Sequence, residues 1–216
     1  MQWVDPPPPA WVADYVDTHN SKLALRGGLG RKAIMDRAEL VAQVIHTVAR
    51  REDSELRRYS GKGVLSMPEL AFVHQVAKEL SLRSSEIFGS PTIGWEMNKG
   101  VGAGLTDLVI DPRSPVAQKM AVEFKLGGKV ETWIEDIAKL SRLADAGFEC
   151  LFCALADVFV HDLQTHGRFK AVDDDARVER IVKSFEFFTT LADFATQTCC
   201  VVGLWRVKAT GGSSEG

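Results

Sequence analysis

The sequence predicts an α/β domain in which a mixed central sheet is flanked by helices, and three observations lead to that prediction. Two short apolar runs with interspersed polar residues, Leu105 to Ile110 and Met120 to Leu126, are typical of two strands joined by a turn. An amphipathic run, Glu131 to Ala144, follows them and predicts a helix. The nearly unbroken apolar run Phe148 to Val160 then suits a strand that is buried on both faces and reached by a helical crossover.

The composition is that of an ordinary globular chain. Of its residues, 45% are apolar and 25% are charged. A length of 216 residues is enough for one domain with its own core. The formal net charge of -3 argues against a tight nonspecific binder of DNA, although a local basic cleft stays compatible with it. No apolar run is long enough to span a bilayer, and the start of the chain lacks the basic and apolar regions of a signal peptide.

The four cysteines are placed where a reducing compartment is expected, so we predict a cytoplasmic protein. They lie in apolar, strand-like runs: Cys150, Cys153, Cys199 and Cys200. Cys150 and Cys153 have a spacing found in metal sites, but on a strand they would face opposite sides of the sheet, which excludes zinc.

The first 65 residues are predicted to form an extension that packs on the core. Four prolines, Pro6 to Pro9, favour an extended arm, for which a tether is preferred over a ligand for another protein. Ala33 to Arg51 has apolar residues at helical spacing. The mixed-charge stretch Arg50 to Lys62 is then a solvated helix end or, as the sharper alternative, a surface that contacts a DNA backbone.

The core is predicted to begin with a helix at Ser66. Ser66 and Glu69 have the spacing of a capping box, and Pro68 suits a first helical turn. Thr92 to Asn98 is the first core strand, on which Glu96 points either into a cleft or to solvent. The glycine-rich loop 99–104 lacks a following helix, so it is not a dinucleotide-binding loop.

The end of the chain is predicted to hold one more helix and one more strand. Asp173 to Asp175 suit the positive end of a helix, which would run to about Gln197. Cys199 to Val207 is the last strand. The predicted organisation is therefore an extension over 1–65, a core over 66–208 and a disordered tail over 209–216.

The predicted strand pair carries the residues that point to chemistry. Because side chains alternate along a strand, Glu123 and Lys125 share one face and Phe124 points to the other. The turn can bring Asp107 beside Glu123 and Lys125. Two carboxylates and one ammonium group are expensive to bury separately, whereas around a divalent cation they offset one another.

This arrangement resembles the motif of the PD-(D/E)xK nuclease superfamily, which has the restriction-endonuclease-like fold. The matching residues are Asp107, fifteen intervening residues and then Glu123-Phe124-Lys125, with Thr106 where the family often has proline. The resemblance covers roughly residues 67–157. It implies the αβββαβ core of that superfamily, with a helical extension before it.

The resemblance also implies an activity, a metal-dependent phosphodiester hydrolase, and most directly a DNA endonuclease. Asp107 and Glu123 would bind Mg²⁺ or Mn²⁺ together with the carbonyl of Phe124. Glu69 would be a further metal ligand, or else only the cap of its helix. Lys125 would favour hydroxide formation and stabilise the charge of the transition state.

Two residues are supporting candidates at the same site, and each has a simpler explanation. Lys139 stands where the family often has a Gln or Lys near the active site, but a surface ion pair with Asp136, three residues earlier, is the preferred explanation. Glu96 is as well explained by an exposed strand position. DNA is the partner that the resemblance implies, a homodimer would suit duplex cutting, and no membrane partner is expected.

Two other functions remain open at this point. The chain can be a catalytically inactive nuclease-fold protein that acts as a nucleic-acid-binding or protein-binding module, which the weak net charge favours and the complete Asp, Glu and Lys set opposes. It can also be a generic α/β domain in which the motif arose by chance, and then the three side chains would not converge.

Overall fold

The computed structural model describes residues 36–83, 88, 91–98, 105–113, 117–159, 166–189 and 198–210. By its internal contacts the chain divides into the units 1–34 and 35–216, and the description concerns the second unit alone. The predictions for the proline-rich arm, for the loop 99–104 and for the side chain of Glu96 lie outside the described residues.

Six strands, four helices and one 3₁₀ turn make up the described fold. The helices are α1 (Arg37–Ser60), α2 (Glu69–Leu82), α3 (Val130–Asp145) and α4 (Gly167–Asp173), and the 3₁₀ turn is Val64–Ser66. The strands are β1 (Thr92–Asn98), β2 (Leu105–Asp111), β3 (Met120–Leu126), β4 (Glu149–Phe159), β5 (Val178–Thr189) and β6 (Thr198–Val207). No helix within the described ranges combines the length and the apolar character that crossing a bilayer requires.

The strands form one mixed sheet in the order β1-β2-β3-β4-β6-β5, which confirms the predicted α/β class. β2 and β3 pair antiparallel, as the turn between them predicts. β3 and β4 are parallel because α3 carries the chain back across the sheet between them. All the other neighbouring strands pair antiparallel. β3 and β4 therefore end at the same edge of the sheet, which is called the upper edge below.

Each face of the sheet is covered by its own pair of helices. α1 and α2 bury Val44 and Val76 against the face that carries Phe124. α3 and α4 bury Trp133 and Phe169 against the opposite face. The pleat of β3 sends Phe124 into the first core and leaves Glu123 and Lys125 on the side of α3. The four cysteines are free and buried, and Cys150 and Cys153 lie in different cores, as predicted.

The helix predicted from Asp173 to about Gln197 is wrong. α4 ends at Asp173, and β5 follows as an edge strand paired with β6. Asp175 does not cap a helix, since its Oδ1 accepts the N–H of Arg177 at 2.9 Å and turns the chain. The β-branched and aromatic residues that follow favour a strand once the buried strand β6 is available as a partner. Residues 190–197 lie outside the described ranges.

The first described helix is longer at its carboxyl end than the apolar spacing predicts. α1 ends at Ser60 rather than near Arg51, and Gly61 closes it with a positive φ of 70°. The mixed-charge stretch is only partly a solvated helix end. Glu52 is 7% exposed and Asp53 is 2% exposed, so both acidic side chains belong to the interior.

The predicted capping box at the start of α2 is also wrong. Pro68 is the N-cap residue, and no side chain caps the helix. The hydroxyl of Ser66 donates instead to the carbonyl of Gly63 at 2.7 Å, within the 3₁₀ turn. The carboxylate of Glu69 is therefore free to reach across to the sheet, where its Oε2 accepts the N–H of Leu126 at 3.0 Å.

The chain after β6 is held as far as Thr210. The N–H of Thr210 donates to Oδ1 of Asp145, at the end of α3, at 2.8 Å. The carbonyl of Lys208 accepts the hydroxyl of Ser141 at 2.7 Å. These bonds place 209 and 210 on the body of the domain rather than in a disordered tail, and residues 211–216 lie outside the described ranges.

Candidate functional site

The candidate site forms where the ladder between β2 and β3 stops short of the upper edge. The backbone pairing of the two strands ends at Leu108 and Val122. Beyond that pair, side chains take the place of the ladder bonds. The N–H of Asp107 donates to Oε1 of Glu123 at 3.1 Å, and the N–H of Phe124 donates to Oδ2 of Asp107 at 2.8 Å. The two carboxylates are thus held between the strands.

Lys139 of α3 belongs to this site and is not a surface residue. Its Nζ lies 2.6 Å from Oε2 of Glu123 and donates to the carbonyl of Leu105 at 2.8 Å. The predicted pair with Asp136 is present, at 3.5 Å, but it is the longer of the two ion pairs. Only 15% of the Lys139 side chain is exposed, so the explanation as a surface ion pair is wrong.

Lys125 is held between two carboxylates from different helices. Its Nζ lies 2.9 Å from Oδ2 of Asp136 and 3.3 Å from Oε1 of Glu69. The other oxygen of Glu69 accepts the N–H of Leu126, so Glu69 ties the start of α2 to the end of β3. Glu79, the other glutamate of α2, pairs with Arg51 and Arg83 instead.

Asp136, which the sequence predicts only as a partner of Lys139, contacts both lysines of the site. A signal was present, because Asp136 lies three residues after Trp133 and one before Ile137, on a helix that packs on the sheet through those residues. The pleat of β3 predicts that this face of the sheet carries Glu123 and Lys125. A polar group at the margin of that helical face is therefore placed to meet them.

The predicted site residues divide into three groups by where the structure places them. Hydrogen bonds and ion pairs connect five of them, together with Asp136: Glu69, Asp107, Glu123, Lys125 and Lys139. Phe124 contributes only its backbone, because its ring packs in the core with a centroid 6.0 Å from that of Phe72. The side chain of Glu96 is outside the described residues.

The site contains more negative than positive formal charge. Four carboxylates, those of Glu69, Asp107, Glu123 and Asp136, share two ammonium groups, those of Lys125 and Lys139. If every group is ionised, two negative charges remain without a partner. Charges in a partly buried site are poorly screened, so this excess is unfavourable unless a cation or a proton offsets it.

The pKa values of the two central carboxyl groups reflect that excess. Burial, and then the charge of Asp107, raise the pKa of Glu123 to about 7, although the bond from Lys139 opposes the shift. Burial also raises the pKa of Asp107, and the charge of Glu69 adds to it, whereas the bond from the N–H of Phe124 opposes it. Both carboxylates would therefore gain from a cation placed beside them.

The pKa of Lys125 moves in the direction that keeps it charged. Burial alone would lower this pKa, but the hydrogen bond to Asp136, together with the charges of Asp136, Glu69 and Asp107, outweighs burial and raises it. Lys125 is therefore a cation at neutral pH and does not accept a proton from water there. The role open to it is to stabilise negative charge.

The donor set fits a hard divalent cation. Mg²⁺ prefers carboxylate oxygens and usually keeps several of its waters, so two carboxylates and a carbonyl suffice to hold it. Asp107 and Glu123, with the carbonyl of Phe124, are the groups that could provide these oxygens. The described ranges contain no group of three or more His, Cys, Asp and Glu side chains arranged to hold a metal ion. Glu69 pairs with Lys125 and does not join the carboxylates of Asp107 and Glu123.

Comparison of the chain with models of protein families, with curated proteins and with solved structures finds no match.

Proposed function

We propose that this protein is a divalent-metal-dependent phosphodiester hydrolase, and specifically a DNA endonuclease of the restriction-endonuclease-like fold. One observation carries the proposal: Asp107, Glu123 and Lys125, distant along the chain, converge at the upper edge in a cluster with excess negative charge. A chance motif in a generic domain gives no reason for the three groups to meet.

The order of the described elements supports the fold part of the proposal. α2, three strands β1 to β3, α3 and β4 follow one another as the αβββαβ core requires. β1, β2 and β3 are neighbours in the sheet, and β4 lies parallel beside β3. The remaining elements, α1, α4, β5 and β6, are additions to that core.

Asp107 and Glu123 would hold the metal, together with the carbonyl of Phe124. A bound Mg²⁺ would neutralise charge on a phosphoryl oxygen and lower the pKa of a bound water. The protein orients the two carboxylates by bonding each of them to a backbone N–H of the opposite strand. Their positions are therefore set by the sheet and not by flexible loops.

Lys125 would supply positive charge next to the phosphate under attack. Asp136 and Glu69 hold its ammonium group from two sides, which limits the rotamers that this long side chain can adopt. Charge placed in advance in a partly buried site stabilises a transition state more than the same charge in water does. Lys139 has a separate role, because it bonds to Glu123 and keeps that carboxylate in position.

Cleavage assays test this proposal directly. We expect the protein to cut DNA in the presence of Mg²⁺ or Mn²⁺ and to be inactive with EDTA, with linear, circular and single-stranded DNA and RNA compared as substrates. Lys125→Ala should lower the cleavage rate by about 100-fold or more, the usual effect of removing one group that stabilises a transition state. Its unfolding curve should still show a single cooperative transition.

Lys119→Ala is the matched control for that experiment. Lys119 lies just before β3, at its other end, and pairs with Asp111 at 2.8 Å, with half of its side chain exposed. The Lys119→Ala substitution removes one positive charge from the same strand pair, as Lys125→Ala does, but at a position outside the candidate site. Equal cleavage rates for Lys125→Ala and the parent protein would reject the mechanism, as would equal losses in both variants.

A second candidate function is a catalytically inactive binding module, and one observation favours it. Lys139 already lies 2.6 Å from Glu123, so the chain partly neutralises its own carboxylates. Such a module would bind nucleic acid or a protein equally well with EDTA and with Mg²⁺, and it would cut no substrate. Binding that requires the metal would exclude it.

A further inference from the structure

α1 ends at the upper edge of the sheet, the edge that holds the candidate site. At its start, Asp36 shares the guanidinium of Arg206 with Glu149, the first residue of β4. Near its end, Asp53 accepts a hydrogen bond from Thr189, at the end of β5. Thr189 and Phe159, the last residue of β4, pair with the same residue of β6, Thr198. The helix therefore runs the full height of the sheet, and its last turn lies at the upper edge.

Three cationic residues, Arg57, Arg58 and Lys62, lie in and just beyond this last turn. Arg57 leans towards Asp53, at 3.9 Å. The side chains of Arg58 and Lys62 are exposed, and within the described part of the chain neither side chain has a hydrogen bond or an ion pair. Glu55 is the acidic residue nearest to them on the helix, and no ion pair joins it to Arg58. Between the two cations, Tyr59 is 82% exposed. Arg58, Tyr59 and Lys62 are called the α1 patch below.

The α1 patch lies within reach of a strand bound at the candidate site. Lys62 precedes Glu69 by seven residues, and a chain of that length spans at most about 25 Å. This distance corresponds to about seven nucleotides of one strand at roughly 3.4 Å each. The 3₁₀ turn and its bond to Asp53 make the actual path shorter.

We infer that the α1 patch binds the sugar–phosphate backbone of the nucleic acid whose scissile bond lies at the candidate site. The inference rests on the proposed function, since that function makes nucleic acid the occupant. Charge complementarity supports it, because among the described residues the side chains of Arg58 and Lys62 have no anionic partner, and phosphates would supply one. The net charge of -3 gives the chain no general attraction to phosphates. A basic residue in the last turn of a helix can be explained by the helix dipole alone. That explanation does not cover Lys62, which lies beyond the C-cap residue Gly61.

The salt dependence of binding tests the inference without requiring cleavage. Fluorescence anisotropy with labelled single-stranded and duplex oligonucleotides, in EDTA, gives the slope of log affinity against log salt between about 50 and 200 mM. The double variant Arg58→Ala with Lys62→Ala should reduce that slope by about 1.8 if the patch holds a duplex, or by about 1.4 if it holds a single strand, which is about 0.9 or 0.7 for each lost phosphate contact. The control, Lys119→Ala with Lys208→Ala, removes two exposed cations from the opposite edge and should leave the slope unchanged.

Tyr59→Ala shows whether the α1 patch binds single-stranded or duplex nucleic acid. An exposed ring stacks on an unpaired base but not on a closed duplex. If the patch holds a single strand, Tyr59→Ala weakens binding of the single-stranded probe by about 5-fold or more and leaves the salt slope unchanged. If it holds a duplex, Tyr59→Ala changes neither probe, and the double variant still reduces the slope.

The failure of this inference differs from the failure of the proposed function. Cleavage by the parent protein, with equal salt slopes for the parent and the Arg58 and Lys62 double variant, would overturn the α1 patch alone. A reduced slope without any cleavage would support the patch and reject the catalytic proposal. A parent protein that binds neither probe would overturn the patch as well.

Discussion

Asp53 and Glu123 are two acidic residues that are equally buried and differently used. Each is 2% exposed. Oδ1 of Asp53 accepts the N–H of Val64 at 2.9 Å and also the hydroxyl of Thr189, and no second carboxylate competes for those donors in the described structure. Glu123 lies beside Asp107, whose charge raises the pKa of Glu123 beyond the effect of burial. Burial alone therefore does not mark a candidate site, whereas the crowding of like charges does.

This comparison has a consequence for stability. Asp53 joins α1, the 3₁₀ turn and β5, and each bond that it accepts would otherwise leave a buried donor unpaired. The crowded carboxylates at the candidate site oppose folding in the absence of a cation, because desolvation and repulsion act on the ionised form. One acidic position thus stabilises the domain, and the other lowers its stability in the absence of a cation.

The largest effect is expected at Asp53. Asp53→Ala should lower the free energy of unfolding by about 3 kcal/mol, because two buried donors lose their acceptor. Asp53→Asn is the matched variant, since its side-chain oxygen can still accept both bonds and only the contact with Arg57 changes. Urea denaturation measures both. Equal losses for the two variants would show that the charge, not the acceptor, is what matters at this position.

A smaller effect of opposite sign is expected at Asp107. Asp107→Asn keeps an oxygen for the N–H of Phe124 and removes one of the crowded charges, so the metal-free protein should become more stable at pH 8 by on the order of 1 kcal/mol. Asp111→Asn, on the same strand, removes the charge of a half-exposed carboxylate that pairs with Lys119, and it should change stability little.

The pH dependence of that gain follows from the direction of the pKa shifts. A carboxyl group with a raised pKa binds a proton in the folded state when the unfolded chain has already released it, so stability falls as pH rises across that interval. For Glu123 the interval runs from 4.5 to about 7. The parent protein in EDTA should lose stability across this range, and Asp107→Asn should lose less. A gain that is constant from pH 4 to pH 8 would contradict the crowding of charges.

The smallest effect is expected at Thr106, a buried polar group of a third kind. Its side chain is fully buried, and its hydroxyl has no hydrogen-bond partner in the described structure. Thr106→Val keeps the shape and removes the unpaired hydroxyl, so the protein should become more stable by about 0.5 to 1 kcal/mol. Thr198→Val is the matched control, because that buried hydroxyl donates to the carbonyl of Thr189 at 3.3 Å, and its removal should destabilise the protein. Thermal unfolding separates the two signs.

The strand pair and its three charged groups were predictable because the signals are local. Alternation on a strand determines that Glu123 and Lys125 share a face, and a short antiparallel connection determines that Asp107 lies near them. The helix and the buried strand that follow have unambiguous lengths and apolar patterns. These features depend little on the rest of the chain.

The features that sequence reasoning missed depend on partners that are distant along the chain. Asp53 meets Val64 after 11 residues and Thr189 after 136 residues, so nothing near Asp53 indicates that it is buried. The sequence predicts a surface ion pair for Lys139 because Asp136 lies three residues away along the chain, whereas Glu123, which is closer in space, is 16 residues away. Asp173 to Asp175 predict the start of a helix locally, and the pairing with β6 shows that the residues after them form a strand instead.

Calorimetric titration of Mg²⁺ or Mn²⁺ at pH 8 tests most directly the claim that the crowded carboxylates form a divalent-cation site. The parent protein should bind the ion with a measurable heat, and Asp107→Asn should show none, while Asp111→Asn binds as the parent does. Binding of equal strength by the parent and Asp107→Asn, or no binding by the parent protein, would contradict the account.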